Sequence, residues 1–540
     1  MKDLLTNLTI IINQKNGKKI IWIFLIFDIL IFIKFLLKEK NQIKNTNQTL
    51  KIFGSRQKKS RRENFIKLNN YNIYMKNTEN FSKNKYLILL PDKNCPKKEL
   101  KTIFFKPEQS LKYAKLKKKD ISLESREKEE TVPSAFVENL ADIRTKFLKR
   151  AGFNIDQKMG SYNIYLTPYN FKKNFIEGLT PFIYNKFQKI NKYFNYMEYI
   201  SKSSLYSNYK NFKDRYPNDY DYMFETYSYP EQKNIIKKKF KNYIINESNY
   251  LWMIKPKLAS LGNNISILKD FSQIKLKDYI ITKFLDNPHL INGYKYDIRF
   301  HGLISSIKPL KLYLYNEGFV RFCSEKYNFS TYSLDNKYEF ITNIYLNKKN
   351  KEKYIYPKNS SEIEKSHLWN LETLKNYYKR NNINYNKIYS EVSDIFIKSL
   401  LTVREKLIKT ILNYKLKFSN FYHLIGFDII LDENLKPYLL EFNRRCSLRD
   451  DNVAEKNYVY NLIVDTLNII GITTEKNYND NKNKKEILKN VIEDNLCELV
   501  RPRGGYELIF PKKDNFKKYM KFFGGSIPKE DKELWNNLFN

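Results

Sequence analysis

The chain has 540 residues, room for two or three packed domains, and its 42% hydrophobic content is adequate for a core, so a globular protein is expected. Lys+Arg 97 against Asp+Glu 58 leaves +39, which points to an acidic partner (nucleic acid, an anionic membrane or an acidic polypeptide) or, since Lys, Asn, Ile, Tyr and Phe are all abundant, to an A/T-rich coding background. The four cysteines (Cys95, Cys323, Cys446, Cys497) and four histidines (His289, His301, His367, His423) are scattered, which argues against a disulfide framework, a zinc site or His-based catalysis and fits phosphoryl-transfer chemistry carried by cations.

Ile20 to Leu37 is apolar apart from Asp28 and Lys34 and follows Lys15, Lys18 and Lys19. It has the length of a membrane anchor, although a mid-span charge costs on the order of 3 kcal/mol, and a buried or interfacial helix is the alternative. From Lys38 to about Glu130 the chain is rich in Lys, Asn and Ser and reads mostly as linker, with one strand at Tyr86 to Leu90 and a basic cluster at Arg56 to Arg62 that reads as solvated charge.

Leu251 to Pro256 is a buried-strand pattern containing Lys255, followed by a loop around Gly262 and a second strand. Strand, glycine-bearing loop, strand with a fixed cation is what covering a phosphate requires, because backbone N–H groups must approach its oxygens closely. In the strand around Tyr294 to His301, Lys295, Asp297, Arg299 and His301 share one face and Tyr296, Ile298 and Phe300 the other, either an active-site face or an exposed charged sheet face. Leu312 to Tyr315 and Phe319 to Phe322 read as a hairpin about Asn316-Glu317-Gly318. Asn347 to Ser366 reads as a loop, and Leu371 to Tyr378 and Tyr389 to Leu412 as helices.

The most informative stretch is Gly426 to Asn443, two apolar strands around a turn at Asp432 to Pro437. With the turn centred between Asn434 and Leu435, Asp428 faces Glu441 and Asn443 shares the face of Glu441. Opposed carboxylates repel, so a cation belongs between them, and two carboxylates with an amide oxygen suit Mg²⁺. The alternative is a surface hairpin with a charged rim.

The hairpin resembles the metal-binding hairpin of the tubulin tyrosine ligase-like family, and the likeness runs from near Arg150 to about Gly471. The resemblance implies an α/β (α+β) ATP-grasp fold, with nucleotide held between two mainly antiparallel sheets. The organisation is then 1–40 a basic and hydrophobic segment, 41–148 a Lys/Asn-rich region, 149–472 the catalytic domain and 473–540 a basic C-terminal extension.

It further implies that ATP and Mg²⁺ are the cofactors, with Asp428, Glu441 and Asn443 on the metal. Lys202, Lys255 and Gly262 would attend phosphate, Asn343 phosphate or metal, the main chain of Lys283 and Leu285 together with Lys295 the adenine, and Asp297 the ribose. Arg299, Arg321 and Glu441 would carry the chemistry, Arg299 at the phosphate or acyl-phosphate region and Arg321 at the acceptor or the incoming amino acid's carboxylate. Departures from the family pattern occur at Lys192-Tyr193-Phe194-Asn195, which stands for a His-Phe-Pro-Gly turn, and at Leu261-Gly262-Asn263-Asn264, which lacks one Gly and an Arg.

The expected activity is a carboxylate-amine ligase that adds glutamate to the acidic tail of tubulin through an acyl phosphate, closer to the polyglutamylases than to the tyrosine ligase because of Gly504-Gly505-Tyr506 near the C-terminus. Glycine or tyrosine ligation, or a non-catalytic basic microtubule-binding protein of the same fold, are the alternatives. The expected partners are tubulin or microtubules and a free amino acid, without specific nucleic acid, in the cytoplasm and on the cytoskeleton.

Overall fold

The computed structural model describes residues 88–91, 101–105, 134–137, 142–156, 162–167, 188–245, 251–257, 265–268, 271–274, 278–328, 336–443, 446, 448, 453–473, 484–525 and 527–539. All of them fall in one compact unit, Lys76–Asn540. Ile20 to Leu37, the cluster at Arg56 to Arg62 and Gly262 lie outside the described residues. Among the described residues no helix is long and apolar enough to cross a membrane.

The spine is Tyr294–Ile307, a strand of 14 residues at the centre of an eight-stranded antiparallel sheet. Its alternation is as read from the sequence, but both faces are covered. Tyr296, Ile298 and Phe300 enter the main core, while Lys295, Asp297, Arg299 and His301 are buried beneath the site. The 29-residue helix Tyr385–Asn413 closes the core side. It crosses at Gly302, where an added Cβ would lie 2.3 Å from the Phe396 ring, so only glycine admits the helix so close.

The expected hairpin about Asn316-Glu317-Gly318 is not formed. Leu310–Tyr315 and Phe319–Phe322 run in the same direction along one edge of the spine, the first paired with Gly302 to Ile307 and the second with Tyr296 to Arg299. A polar Asn-Glu-Gly excursion marks a break in a strand as well as a reversal, and local sequence does not distinguish them.

The hairpin expected over Gly426 to Asn443 does form, between His423–Leu431 and Pro437–Asn443. Asp428 stands opposite Glu441 and Gly426 opposite Asn443, as expected. Beyond them the register slips by one, pairing Ile429 with Leu439, so a bulge sits beside the two carboxylates. The turn adjusts accordingly. Leu435 takes φ +65° and the Asp432 side chain accepts the N–H groups of Asn434 and Lys436, each at 2.9 Å.

A second, four-stranded antiparallel sheet runs Thr226–Tyr229, Tyr279–Lys283, Trp252–Pro256, Ser266–Leu268 in spatial order. Its small core of Ile236, Phe240, Trp252, Ile254 and Ile281 is closed by the helix Lys233–Ile245. A third sheet is parallel and built around Ser134–Val137.

Segments flanking the family-like stretch are structural. Ile88–Pro91 and Lys101–Phe104, from the stretch read mostly as linker, form a sheet with Ile472–Thr473, and Phe105 exchanges hydrogen bonds with the Asn468 carboxamide at 2.8 and 3.0 Å. Tyr506–Phe510 pairs with Leu310–Tyr315 at the edge of the main sheet. Cys323 and Cys446 are free and buried, but Cys497 is disulfide-bonded, which the scattered cysteines gave no reason to expect.

Candidate active site

The spine's charged face, the strand Phe319–Phe322 and the hairpin of His423–Leu431 and Pro437–Asn443 meet in a buried ionic network. Arg299 donates through Nε and Nη2 to the two Asp428 oxygens, the second at 3.1 Å. Gly426, beside Asp428 in sequence, makes room: a Cβ there would lie 3.2 Å from Arg299 Cδ. Arg321 bridges two acids, with Nε 2.6 Å from Asp297 and Nη2 2.7 Å from Asp428. The Thr342 hydroxyl donates to the remaining oxygen of Asp297.

These contacts set the charge states. Burial alone would raise Asp428, but Arg299 and Arg321 overcome it and hold the carboxyl well below the ordinary range. Burial pushes Asp297 up against the pull of Arg321, and the charge of Asp428 adds to the rise. Glu441 is at the mouth, where Lys202 lies 3.0 Å away. Burial would raise it too, yet Lys202, against the charge of Asp428, keeps it low.

Lys255 reaches the same place from the second sheet, within electrostatic range of Glu441, Lys202, Asp428 and Asp297. A cleft lined by Lys202, Lys255, Thr226, Thr282, Met223 and Leu439 adjoins it. Lys295 lies against rings, its ammonium 4.1 Å from the Phe284 centroid and 5.5 Å from that of Tyr327. Burial pulls its pKa down to about 8.

Lys202, Lys255, Lys295, Arg299 and Arg321 thus surround Asp297, Asp428 and Glu441, two more positive groups than negative. Such a site has capacity for an anion. The Asn443 amide nitrogen is buried without a hydrogen-bond partner, so this end of the hairpin is left unsatisfied by described residues. No cluster of three or more His, Cys, Asp or Glu able to hold a metal occurs among the described residues.

Other candidates occupy more ordinary places. Lys283 ends a strand and donates its N–H to Glu225 at 2.8 Å, whereas Leu285 makes no backbone hydrogen bond with a described residue. Asn343 caps the short helix Ile344–Asn347, accepting from Tyr345 and Leu346, so its side-chain oxygen is engaged locally. Its neighbour Thr342 is the residue that reaches the site, which reading the motif through its amide missed. Asn195 takes φ +60°, a left-handed conformation that Asn tolerates, at the position where the family pattern has glycine.

A profile of the Tubulin-tyrosine ligase family matches residues 183–480. The chain belongs to this family. Relatives of the tubulin-tyrosine ligase family chain include "Tubulin monoglutamylase TTLL4" of Mus musculus, 31% identical over 255 residues, covering 47% of this chain and 21% of that protein. "Probable beta-tubulin polyglutamylase" of Tetrahymena thermophila is 26% identical over 424 residues, 71% of this chain and 35% of that one. "Tubulin polyglutamylase TTLL7" of Xenopus tropicalis is 27% identical over 294 residues, 53% and 32%. The chain therefore spans about a fifth to a third of these relatives' length.

Lys295 gives a first test. Its folded pKa of about 8 lies below the ordinary 10.5, so folding is penalised below pH 8 and the penalty fades as pH rises towards 10.5. Lys295→Met should stabilise the ligand-free protein by on the order of 2 kcal/mol at pH 7. The gain, read by denaturant unfolding, should shrink as the pH is raised from 8 to 10.

Proposed function

We propose that this member of the tubulin-tyrosine ligase family is an ATP- and Mg²⁺-dependent carboxylate-amine ligase that adds glutamate to the acidic tail of tubulin. The observation that carries the reading is that Lys255, on one antiparallel sheet, lines one cleft with Lys202, which lies 3.0 Å from Glu441 of the Asp428 and Glu441 pair on another. That is consistent with an ATP-grasp arrangement, with nucleotide between the sheets. The names of the relatives support glutamate as donor and tubulin as acceptor.

The residues that would hold the expected cofactors are the opposed Asp428 and Glu441 carboxylates with the Asn443 amide oxygen for Mg²⁺, and the surplus cations for phosphates. When bound, MgATP would supply the phosphoryl group that converts the acceptor carboxylate into an acyl phosphate, from which the donor amine displaces phosphate to leave an amide. The chain's own part is positioning and charge neutralisation. Lys255 and Lys202 would hold phosphate oxygens, Lys202 giving up Glu441 to do so. Arg299 and Arg321, fixed by Asp428 and Asp297, would present planar donors to the charge developing on the transferred group. Asp297, kept in place by Thr342, would face the ribose.

The test is parallel incorporation of labelled glutamate, glycine and tyrosine into purified microtubules with ATP and Mg²⁺. Glutamate should be incorporated, and Glu441→Gln should lower the rate by about 100-fold or more. Incorporation of glycine or tyrosine instead would reassign the donor, and none of the three would refute the ligase reading for tubulin.

A further inference from the structure

The loop after Thr342 combines proximity to the site, rigidity and unneutralised charge. It starts where the Thr342 hydroxyl bonds Asp297. Asn347 then ties it down, accepting from Ser324 N–H at 2.7 Å and donating to the carbonyls of Ile341 and Asn343 at 2.7 and 3.0 Å. Asn350 adds bonds to Ser324 and Glu325 at 3.2 and 3.0 Å, and Ile355 and His367 exchange two bonds of 2.9 Å. These anchors fix the loop against the segment that follows Arg321.

From Ile344 to Lys358 the loop carries five lysines and one acid, Glu352. Lys353 is neutralised by Glu325 at 2.8 Å. Lys348 lies over the Tyr356 ring at 4.0 Å, and Lys349 and Lys351 are exposed without an ion pair among the described residues. Some surface lysines elsewhere are committed, as Lys436 is to Asp221 and Lys521 to Asp219. Between these cations Tyr345 and Ile355 are 45% and 51% exposed.

We infer that residues 344–358 form a docking surface for an acidic polypeptide, with Lys348, Lys349 and Lys351 holding carboxylates that flank the modified one. Tyr345 and Ile355 receive the aliphatic stems between those carboxylates. Lys348 is six residues beyond Thr342, a chain distance of no more than about 20 Å. An extended peptide, rising ~3.3 Å per residue, would therefore span the distance from Thr342 to Lys348 in about six residues. That a glutamate is modified there rests on the ligase reading, whereas the docking itself does not.

The test is fluorescence anisotropy of a labelled decaglutamate peptide with the full chain, at about 0.15 M salt where exposed charges more than ~8 Å apart are screened. Decaglutamine and a single-stranded RNA decamer serve as further probes. Joint Lys348→Glu, Lys349→Glu and Lys351→Glu should weaken decaglutamate binding about tenfold or more. Joint Lys237→Glu and Lys238→Glu, on the exposed face of the helix Lys233–Ile245, should change it less than about twofold. The milder Gln triple should weaken it in the same direction with an unchanged unfolding midpoint.

No weakening in the loop variants, equal weakening in the helix variant, or an equal loss of RNA binding would overturn the proposal. Because anisotropy needs no turnover, loss of the ligase reading is separable. Peptide held by the loop without glutamate incorporation would count against catalysis alone, and incorporation with wild-type binding in the triple variant would count against docking alone.

Discussion

Asp428→Asn is expected to abolish activity and to destabilise the ligand-free protein by roughly 3–5 kcal/mol. The Asp428 side chain is 4% exposed and receives both Arg299 and Arg321, themselves 4% and 10% exposed. With its charge removed, Arg299 loses its carboxylate partner and Arg321 is left with Asp297 alone, a carboxyl that burial already pushes towards its neutral form. The sign with pH follows from the depressed Asp428 pKa. Its contribution is full above the ordinary aspartate value of 3.8 and is lost as pH falls below it. The difference between wild type and variant, measured by urea unfolding, should be flat from pH 5 to 7 and shrink below about pH 4. Inorganic tripolyphosphate, which neutralises the same arginines, should raise the variant's unfolding midpoint more than the wild type's. A loss under about 1 kcal/mol would show that water solvates these arginines.

The parts of this site legible in the sequence were those that local periodicity encodes. A hairpin repeats every two residues, so facing partners follow from the turn, and Asp428 opposite Glu441 was readable from Gly426 to Asn443. The bulge beside them was not. It inserts Leu440 without any composition signal and moves the turn by half a register step. Likewise the face carrying Lys295, Asp297 and Arg299 was visible as alternation, whereas its burial depends on the second sheet and the hairpin, remote in sequence.

Long-range partners account for the remaining differences. Ile88–Pro91 reads as an isolated strand because its sheet is completed by Ile472–Thr473, nearly four hundred residues on. Thr342 was overlooked beside the more metal-like Asn343, although a hydroxyl suits a carboxylate better than an amide already committed to a helix cap. The glycines near the C-terminus were read as a family marker. In the fold Gly505 donates its N–H to Asp465 at 2.9 Å, and Tyr315 donates to the same oxygen at 3.0 Å, tying the last strand to the helix Val453–Ile470.

That anchoring leads to an effect far from the chemistry. Asp531→Ala should cost roughly 3–5 kcal/mol, as much as a change inside the site. Asp531 is fully buried in the helix Lys529–Phe539 and lies 2.5 Å from Arg404 of the long helix, itself 1% exposed. Its other oxygen accepts from Leu310 N–H at 2.8 Å, and Arg404 Nε donates to the Ile307 carbonyl at 3.0 Å. The acid thus clamps the turn between the spine and the next strand to the helix that backs the core. Removing it leaves a buried guanidinium without its counter-charge, against the Phe523 ring 4.6 Å away. Arg404→Leu together with Asp531→Leu should recover most of the loss, because apolar groups of similar volume avoid the stranded charge. If the single and double variants unfold at the same denaturant concentration, packing of the last helix, and not the ion pair, holds the C-terminal stretch in place.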